Sequence, residues 1–406
     1  MKIDDKTSHN SPSLRFPEFT GEWKEERLSE IADIYKGAGI SKDQLSDNGE
    51  PCILYGELYT KYKTETITEV ISRTDIDNTK LVRSKANDVI IPCSGETAED
   101  IATARCVIKD GILLGGDLNI IRLHNYDGSF VSYQLNGKRK YDIAKVAQGV
   151  SVVHLYGEHL KGVKTVNPCL AEQKKISRFL SLLDERIAVQ NRLIDRLQSL
   201  MIGLNNSLYE QYGNDITTSF MELGYSYSGL SGKSAKDFGS GKPFITYLNV
   251  YSNIIVDETD YQYVRINDGE KQNIVRTGDV LFTLSSETPE EVGIGSVYLG
   301  EKEVYLNSFC FGIHIERNQL AYSPYLSYYV TSTAFRKFIY PFAQGSTRFN
   351  LCKADFEKAS IKLPSLDNQK RISAMLDCIA EKIRAEKAIL EYYNIQRQYL
   401  LRQMFI

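Results

Sequence analysis

The sequence predicts an α+β fold in which two mixed α/β domains are joined by two long helices that form an antiparallel coiled coil. An internal repeat and the heptad spacing inside it predict this fold. The segment Pro168–Ser177 recurs 196 residues later as Pro364–Ser373, with six of ten positions identical. The repeat indicates a pseudo-two-fold order of domain, helix, domain, helix.

Apolar side chains recur in both copies at alternating gaps of three and four residues, which is the a/d pattern of a coiled coil. The first row contains Ile176, Leu180, Leu183, Ile187, Gln190, Ile194, Leu197, Met201, Leu204 and Leu208. The second row contains Ile372, Leu376, Ile379, Ile383, Glu386, Leu390, Tyr393, Arg397, Leu400 and Met404. Each copy predicts a helix of about 40 residues and about 60 Å.

The polar residues Gln190 and Glu386 occupy the same position of the repeat. If the helices pair antiparallel and in register, these two side chains are expected to meet, where a polar contact fixes register at some cost in stability. The alternative is that two surface helices pack separately on two domains.

The repeat divides the chain into five segments: an arm at 1–20, a domain at 21–167, a central helix at 168–210, a second domain at 211–362 and a distal helix at 363–406. Residues Lys24–Ile34 are compatible with a short helix, and Val131–Ala147 has a helical pattern. Segments rich in β-forming residues predict strands. They are Pro51–Tyr59, Asp88–Pro92, Pro243–Tyr251 and the start of Gly278–Thr288.

Composition limits the class of protein. The 406 residues are 42% hydrophobic, which suffices for real cores, and the net charge of −3 leaves room for only a local basic face. Seven scattered cysteines without a C-x-x-C pair favour reduced thiols and no metal site. No apolar run approaches 18 residues and the N-terminus is polar, so a cytoplasmic protein without a membrane segment is expected.

Catalytic motifs are missing from the sequence. It contains no G-x-x-x-x-G-K-[ST], no G-x-S-x-G and no H-E-x-x-H, and its five histidines are isolated. The chain is therefore expected not to be an enzyme.

Several short motifs carry a family resemblance. Leu14-Arg15-Phe16-Pro17-Glu18-Phe19 leads to Trp23, and Gly345-Ser346-Thr347-Arg348 precedes the second helix. The latter motif is degraded to Gly149-Val150-Ser151-Val152 in the first repeat. With the two Pro-x-Leu-x-x-Gln-x-x-Ile helix starts, the chain resembles the specificity subunit of type I restriction-modification systems over nearly its whole length.

The resemblance implies a non-catalytic DNA-binding subunit. The domains would be target recognition domains, each reading one half of a bipartite, gapped sequence in double-stranded DNA. The helices would set the spacing and dock two adenine methyltransferase subunits, through which endonuclease and translocase subunits join. S-adenosylmethionine, ATP and magnesium would belong to those partners, with no cofactor in this chain.

Candidate DNA-binding residues are lysines in glycine- and serine-rich segments and polar side chains in two matching loops. They are Lys36, Lys42, Lys61, Lys63, Ser94, Glu96, Thr97, Lys233, Lys236, Lys242, Ser285, Glu287 and Arg348. The simpler interpretation is that the lysines are ordinary solvated side chains and that the two Glu-Thr pairs cap turns.

Two other functional classes remain compatible with the sequence. One is a coiled-coil scaffold protein that never binds DNA. The other is a recognition module cut from a fused restriction enzyme and methyltransferase, which requires a methyltransferase domain that this sequence does not contain.

Overall fold

The computed structural model describes residues 11–77, 79–149 and 152–406. The first ten residues of the predicted arm, and Val150 and Ser151 of the degraded motif, therefore lie outside the described residues. The chain forms two compact units. The first comprises the residues up to Asn191 together with Ala388–Ile406, and the second is Arg192–Lys387. Each unit contains one domain and half of each long helix.

The strands of the first half of the chain are short. They are β1 (Lys24–Arg27), β2 (Ala32–Lys36), β3 (Glu50–Ile53), β4 (Thr66–Ile67), β5 (Ser72–Thr74), β6 (Val82–Arg83), β7 (Asp88–Pro92), β8 (Ser94–Gly95), β9 (Arg105–Val107), β10 (Leu113–Leu114), β11 (Leu118–Leu123), β12 (Val153–His154) and β13 (Lys164–Asn167). The helices are α1 (Leu28–Ile31), α2 (Glu57–Thr60), α3 (Ala98–Ile101), α4 (Gly128–Asn136), α5 (Lys140–Val146), α6 (Gly157–Leu160) and the long α7 (Leu170–Tyr212).

The second half follows the same plan. Its strands are β14 (Ile216–Thr218), β15 (Gly224–Ser228), β16 (Phe238–Ile245), β17 (Tyr261–Val264), β18 (Val280–Thr283), β19 (Ser285–Ser286), β20 (Gly295–Val297), β21 (Tyr305–Leu306), β22 (Cys310–Ile315), β23 (Ala343–Gly345), β24 (Phe349–Leu351) and β25 (Ile361–Leu363). Its helices are α8 (Phe220–Leu223), α9 (Tyr247–Ser252), α10 (Ser323–Tyr329), α11 (Thr333–Ile339), α12 (Lys353–Lys358) and the long α13 (Leu366–Gln403).

Sheet topology repeats between the two domains. The main sheet has the strand order β2-β11-β7-β9-β4 in the first domain and β15-β22-β18-β20 in the second. The smaller sheet has the order β5-β3-β10-β6 in the first and β17-β16-β21 in the second, and each contains one parallel pair, β3 with β10 and β16 with β21. The internal repeat therefore includes the domains as well as the helices.

The central strand of each main sheet is covered on both faces. In β7, Val89 and Ile91 pack into the core that contains Trp23, whereas Ile90 packs on the other face against the smaller sheet. Side chains alternate between the faces of a strand, so the continuous apolar sequence of β7 reflects burial on both. The prediction of a strand at Asp88–Pro92 is confirmed.

The two long helices pair antiparallel inside each unit. In the first unit, Arg397 of α13 forms an ion pair with Asp184 of α7 (2.6 Å), and Arg186 lies over the Tyr393 ring (6.0 Å). From the first contact to the second, the residue number rises in α7 and falls in α13, so the helices run antiparallel. In the second unit, the later turns of α7 share a core with the first turns of α13. The residues of that contact are Met201, Leu204, Leu208, Ile372 and Leu376.

The predicted seam coincides with the buried side of both helices. Every predicted a and d position is buried or half-buried. Neighbouring apolar residues off the seam, such as Leu182 and Val189, are 44% and 55% exposed. The antiparallel coiled coil is therefore confirmed. Gln190 and Glu386 are both buried, and a contact between them stays a prediction.

A glutamine at the same position of both repeats ties each helix to its own domain. Gln173 accepts a hydrogen bond from the backbone N–H of Asp127 (2.9 Å) and donates one to the carbonyl of the motif's own proline (2.8 Å). Gln369 forms the same pair of bonds with Tyr322 (2.8 Å) and its proline (2.9 Å). Buried polar groups need such partners, which explains why the Pro-x-Leu-x-x-Gln motif occurs twice.

Arg397 is a charged residue in the seam and is held by two carboxylates. Its guanidinium binds Asp184 (2.6 Å) and Glu65 (2.5 Å), and the Tyr133 hydroxyl donates to Asp184 (2.5 Å). Burial alone would lower the pKa of Arg397, but the negative charges of Glu65 and Asp184 outweigh it and raise that pKa. The first domain, α7 and α13 are thus joined by one buried charged cluster.

Three local predictions are wrong over part of their length, for tertiary reasons. Lys24–Ile34 contains only the single helical turn α1, because Lys24–Arg27 pairs with β13, about 140 residues away. The strands predicted at Pro51–Tyr59 and Pro243–Tyr251 end early and turn into α2 and α9. The buried Glu57 carboxylate accepts the backbone N–H of Leu54 (3.0 Å), and the Thr246 hydroxyl caps α9 by accepting from the backbone N–H of Asn249 (3.1 Å).

Replacing Leu376 with aspartate is expected to destabilise the protein by several kcal/mol, because an unpaired carboxylate would enter a fully buried position. Met375 is the matched control, since it is adjacent on the same helix and 49% exposed. Chemical denaturation of Leu376→Asp and Met375→Asp measures the difference. Equal stabilities of the two variants would contradict the seam.

Replacing Arg397 with methionine is expected to cost about 3–5 kcal/mol, because two buried carboxylates would lose their shared cation. Arg402→Met, at an exposed position one turn later, is the control and should change stability by less than about 0.5 kcal/mol. Urea denaturation of both variants checks the expectation. An Arg397→Met protein as stable as its control would show that the cluster contributes no net stability.

Candidate nucleic-acid interface

Each domain carries a short strand pair at the end of its central strand. In the first domain, β8 pairs antiparallel with β12, and Gly95 lies opposite Val153. In the second, β19 pairs antiparallel with β24, and Ser286 lies opposite Phe349. Two predicted serines, Ser94 and Ser285, lie in these pairs. The loops that follow carry the remaining polar candidates.

The Gly-Ser-Thr-Arg motif forms the tip of a β-hairpin. Strands β23 and β24 pair antiparallel, and Gly345 ends the first strand with φ +149°. A Cβ on Gly345 would lie 2.1 Å from the carbonyl oxygen of Arg348. Only glycine fits so close an approach. The hairpin therefore places Ser346, Thr347 and Arg348 at its tip.

A cleft of about 720 Å³ lies beside this tip in the second domain. It brings together three of the predicted residues with aromatic side chains from distant parts of the chain. Its lining consists of Tyr247, Leu248, Tyr251, Ser285, Ser286, Glu287, Glu291, Phe309, Thr347 and Arg348.

Hydrogen bonds fix the wall of the cleft. Tyr251 donates from its hydroxyl to one oxygen of Glu291 (2.7 Å), and Ser286 donates to the other (2.8 Å). The bond from Tyr251, with that from Ser286, lowers the pKa of Glu291. Tyr247 donates to the carbonyl of Ser285 (2.9 Å), and burial raises the pKa of Tyr247. These side chains therefore support the site rather than reach out of it.

Arg348 and Glu287 are the charged side chains at the mouth of the cleft. Both are exposed. The Arg348 guanidinium lies over the Phe309 ring, 5.6 Å from its centroid, a cation–π contact that orients it without neutralising it. Within the described parts of the chain, neither Arg348 nor Glu287 forms an ion pair with another residue. A partner molecule can therefore bind both charges.

The first domain has a related group of residues. Tyr55 and Tyr59 correspond to Tyr247 and Tyr251 in the sequence repeat. Burial raises the pKa of Tyr59, and the nearby groups Tyr55, Asp100 and Glu96 add to the effect. The α2 turn and the loop after β8 are therefore neighbours here as well.

Thr97 has a structural role in that loop. Its hydroxyl accepts the backbone N–H of Asp100 (3.1 Å) and caps α3. The simpler interpretation of this Glu-Thr pair, as a turn cap, therefore holds for Thr97, whereas Glu96 is exposed beside it.

Four of the predicted lysines have partners in the protein itself. Lys36 lies 3.8 Å from Asp117 and Lys63 donates to the carbonyl of Tyr59 (3.1 Å), and two others are held by shorter contacts. Lys61 binds the buried Glu57 (2.6 Å) and Ser72 (2.8 Å). Lys233, whose side chain is 6% exposed, binds Glu270 (2.5 Å), and this contact holds the pKa of Glu270 at about 2. Lys61 and Lys233 stabilise loops. Five of the predicted lysines have exposed positions: Lys36, Lys42, Lys63, Lys236 and Lys242.

The sequence prediction missed the aromatic lining. Tyr247, Tyr251 and Phe309 are separated by up to 62 residues from one another, and no local motif marks Phe309. A sequence signal for the aromatic lining exists in the two tyrosines at matching places in the segments after Pro51 and Pro243.

Two features are absent from the residues that the structure describes. None of their helices is long and apolar enough to span a bilayer. Among the same residues, no cluster of three histidine, cysteine or acidic side chains has a geometry that could hold a metal ion.

Comparison with known proteins identifies relatives along most of the chain. The type I restriction enzyme MjaVIII specificity subunit of Methanocaldococcus jannaschii is 21% identical over 403 residues, which cover 93% of this chain and 91% of that protein. The StySPI specificity subunit of Salmonella potsdam is 27% identical over 150 residues, or 37% of this chain. The chain spans about a third of that relative, 32% of its length.

Solved structures share the fold. The S subunit of a type I restriction-modification system from M. genitalium superposes with a TM-score of 0.60 at 16% identity, covering 98% of this chain and 99% of that one. A chain from a structure of type I complex assembly and conformational transition gives a TM-score of 0.57 at 18% identity, covering 96% and 98%.

The family model described as the type I restriction modification DNA specificity domain matches residues 20–199 and 230–392. These two matches include both repeats and most of the chain. The protein therefore belongs to the family of type I restriction-modification DNA specificity subunits, which are not themselves catalytic.

Proposed function

We propose that each domain of this protein reads one half of a bipartite, gapped DNA target. The observation that carries the proposal is the same strand pair and the same close approach of a glycine to a carbonyl in both domains, with different side chains at equivalent places. A common scaffold with different contact residues is what two readers of unlike half-sites require.

Affinity and sequence choice would come from different residues. Exposed lysines near the loops supply contacts to phosphates, which position a protein on DNA without reading sequence. The polar tips after β8 and β19 reach base edges in the major groove, where donor and acceptor patterns differ among base pairs. The net charge of −3 fits such local use of lysine.

The long helices would dock the methyltransferase subunits. Each helix exposes large apolar side chains off the seam, and exposed apolar surface of this kind marks interaction sites. Those side chains are Phe179, Leu182, Val189, Leu193, Leu200 and Ile202 on α7, and Met375, Ile389, Tyr392, Ile395 and Tyr399 on α13. Two adenine methyltransferase subunits would bind here and link the endonuclease and translocase subunits. S-adenosylmethionine, ATP and magnesium would be bound by these partners.

A coiled-coil scaffold without DNA binding is the competing function. The exposed, unneutralised Arg348 at a pre-shaped cleft favours DNA reading over that function. Retention of target DNA by the protein together with its methyltransferase, compared with the methyltransferase alone, separates the two.

Exchanging residues 213–365, the segment between α7 and α13, for that of a relative is expected to change one half of the methylated sequence. The other half and the gap should stay constant, because the first domain and the helices are unchanged. Methylome sequencing of a host that carries the variant with its methyltransferase gives the readout. A change in both halves would contradict independent reading.

Lengthening both helices by one heptad is expected to lengthen the gap. Insertions after Asn191 and after Lys387 fall where the chain passes from one unit to the other, and seven residues keep the seam in register. They add about 10 Å, or about three base pairs at 3.4 Å each. The same methylome measurement should return two unchanged halves with the longer gap.

An insertion in α7 alone serves as the control, because it shifts the seam and should abolish methylation. An active double insertion with an unchanged gap would show instead that docked methyltransferases set the spacing.

A further inference from the structure

In each domain, an acidic residue directly follows the short strand that ends the central part of the sheet, Glu96 after β8 and Glu287 after β19. In the second domain, Ser285 pairs with Asn350 and Ser286 with Phe349. Extended by one residue beyond the strands, this register would set Glu287 opposite Arg348. Both side chains are exposed at the cleft mouth. The two residues therefore flank the end of the strand pair, and both line the cleft there.

The first domain has the same arrangement with one difference. Ser94 pairs with His154 and Gly95 with Val153, and the same extension of the register would set Glu96 opposite Val152. Glu96 is exposed, and Val152 is 52% exposed. Exposure of an apolar valine side chain to water does not stabilise the fold. Val152 therefore presents an apolar contact where the second domain presents a guanidinium.

The backbone shows that Val152 and Arg348 are equivalent. Gly149 has φ +126°, and a Cβ on it would lie 2.1 Å from the carbonyl oxygen of Val152. Gly345 has the same relation to Arg348, at the same 2.1 Å. Val152 and Arg348 therefore have the same backbone relation to the glycine three residues before them, and their side chains differ in chemistry.

Each pair matches one kind of base pair. Arginine binds the two acceptors of guanine, O6 and N7, and a carboxylate accepts from the amino group of cytosine. The Arg348–Glu287 pair thus complements G·C. In the major groove, A·T is the base pair that presents an amino group together with a methyl group. The Val152–Glu96 pair thus complements A·T.

We propose that these two pairs are specificity-determining residues, with Glu287 and Arg348 reading a G·C base pair and Glu96 and Val152 reading an A·T base pair. The proposal rests on the proposed function and adds to it the residues and the base pair that each domain reads at this position. The Phe309 ring positions the guanidinium, and the cleft behind it leaves space for the base edge.

The test is methylome sequencing of a host carrying the full subunit with its own methyltransferase. Val152→Arg is expected to change one position of one half-site from A·T to G·C. Arg348→Val is expected to remove the G·C requirement at one position of the other half-site, with discrimination falling by about 5- to 150-fold. In each variant the unaltered half-site is the internal control.

Alanine variants of the acidic partners test the pairing itself. Glu287→Ala and Glu96→Ala replace exposed side chains, so the fold should tolerate them. Glu287→Ala must weaken the sequence requirement at the same base pair that Arg348→Val alters. Glu96→Ala must do so at the same base pair that Val152→Arg alters. Effects at different positions would overturn the proposal.

Three results separate the possible failures. A wild-type subunit that gives no gapped methylated sequence would refute the proposed function. A wild-type gapped sequence that all four variants leave unchanged would overturn this inference alone. Weaker methylation at every site after Arg348→Val, with no change of sequence, would assign Arg348 to a phosphate and overturn it too. If a variant gives no methylation, selection of bound DNA from a random library by the purified complex supplies the sequence.

Discussion

Each domain depends on both long helices to close its hydrophobic core. In the first unit, Leu180 of α7 and Leu400 of α13 are buried in the core that contains Trp23. In the second, Leu204 of α7 and Leu376 of α13 pack in the core of that domain. A buried helix residue thus packs against a domain, the other helix or both, whereas a residue in an exposed loop has none of these packing constraints. The helices of the two repeats can therefore differ little, while the loops can differ freely.

Apolar heptads alone leave the helix pairing under-determined, because two similar helices can also pair in shifted registers or between copies of the chain. The Arg397 cluster removes that freedom in the first unit. The other repeat lacks these charges: the position equivalent to Arg397 is Met201 in α7, and the position equivalent to Asp184 is Ala380 in α13. A mispaired arrangement would bury these charges without partners, which costs several kcal/mol. The cluster thus favours one pairing, and it makes the two halves of the chain non-interchangeable.

The sequence was most informative where local periodicity and burial coincide. The heptad rows and the strand Asp88–Pro92 were predictable because the local pattern of apolar residues matches the burial of those residues in the fold. Lys24–Ile34 was not, because its strand exists only through pairing with β13 far along the chain. The same reason limits the site prediction. Arg348 and Glu287, both candidates from the sequence, line the same cleft. Phe309 joins them only through the tertiary fold, since no local motif marks it. The ion pair of Lys233 with Glu270 likewise has no signal in the residues that flank Lys233.

The hairpin separates stability from recognition. Its shape is set by a glycine and by backbone pairing, so the tip side chain contributes little to the fold, and exposed substitutions usually change stability by less than about 0.5 kcal/mol. In the proposed role, the same substitution would change which groups face a base edge, where one good contact discriminates by about 1–3 kcal/mol. Arginine and valine at the two tips show that this scaffold accepts a charge or an apolar group. A position with a small cost in folding and a large effect in binding is one where a reader of DNA can change its target without loss of structure.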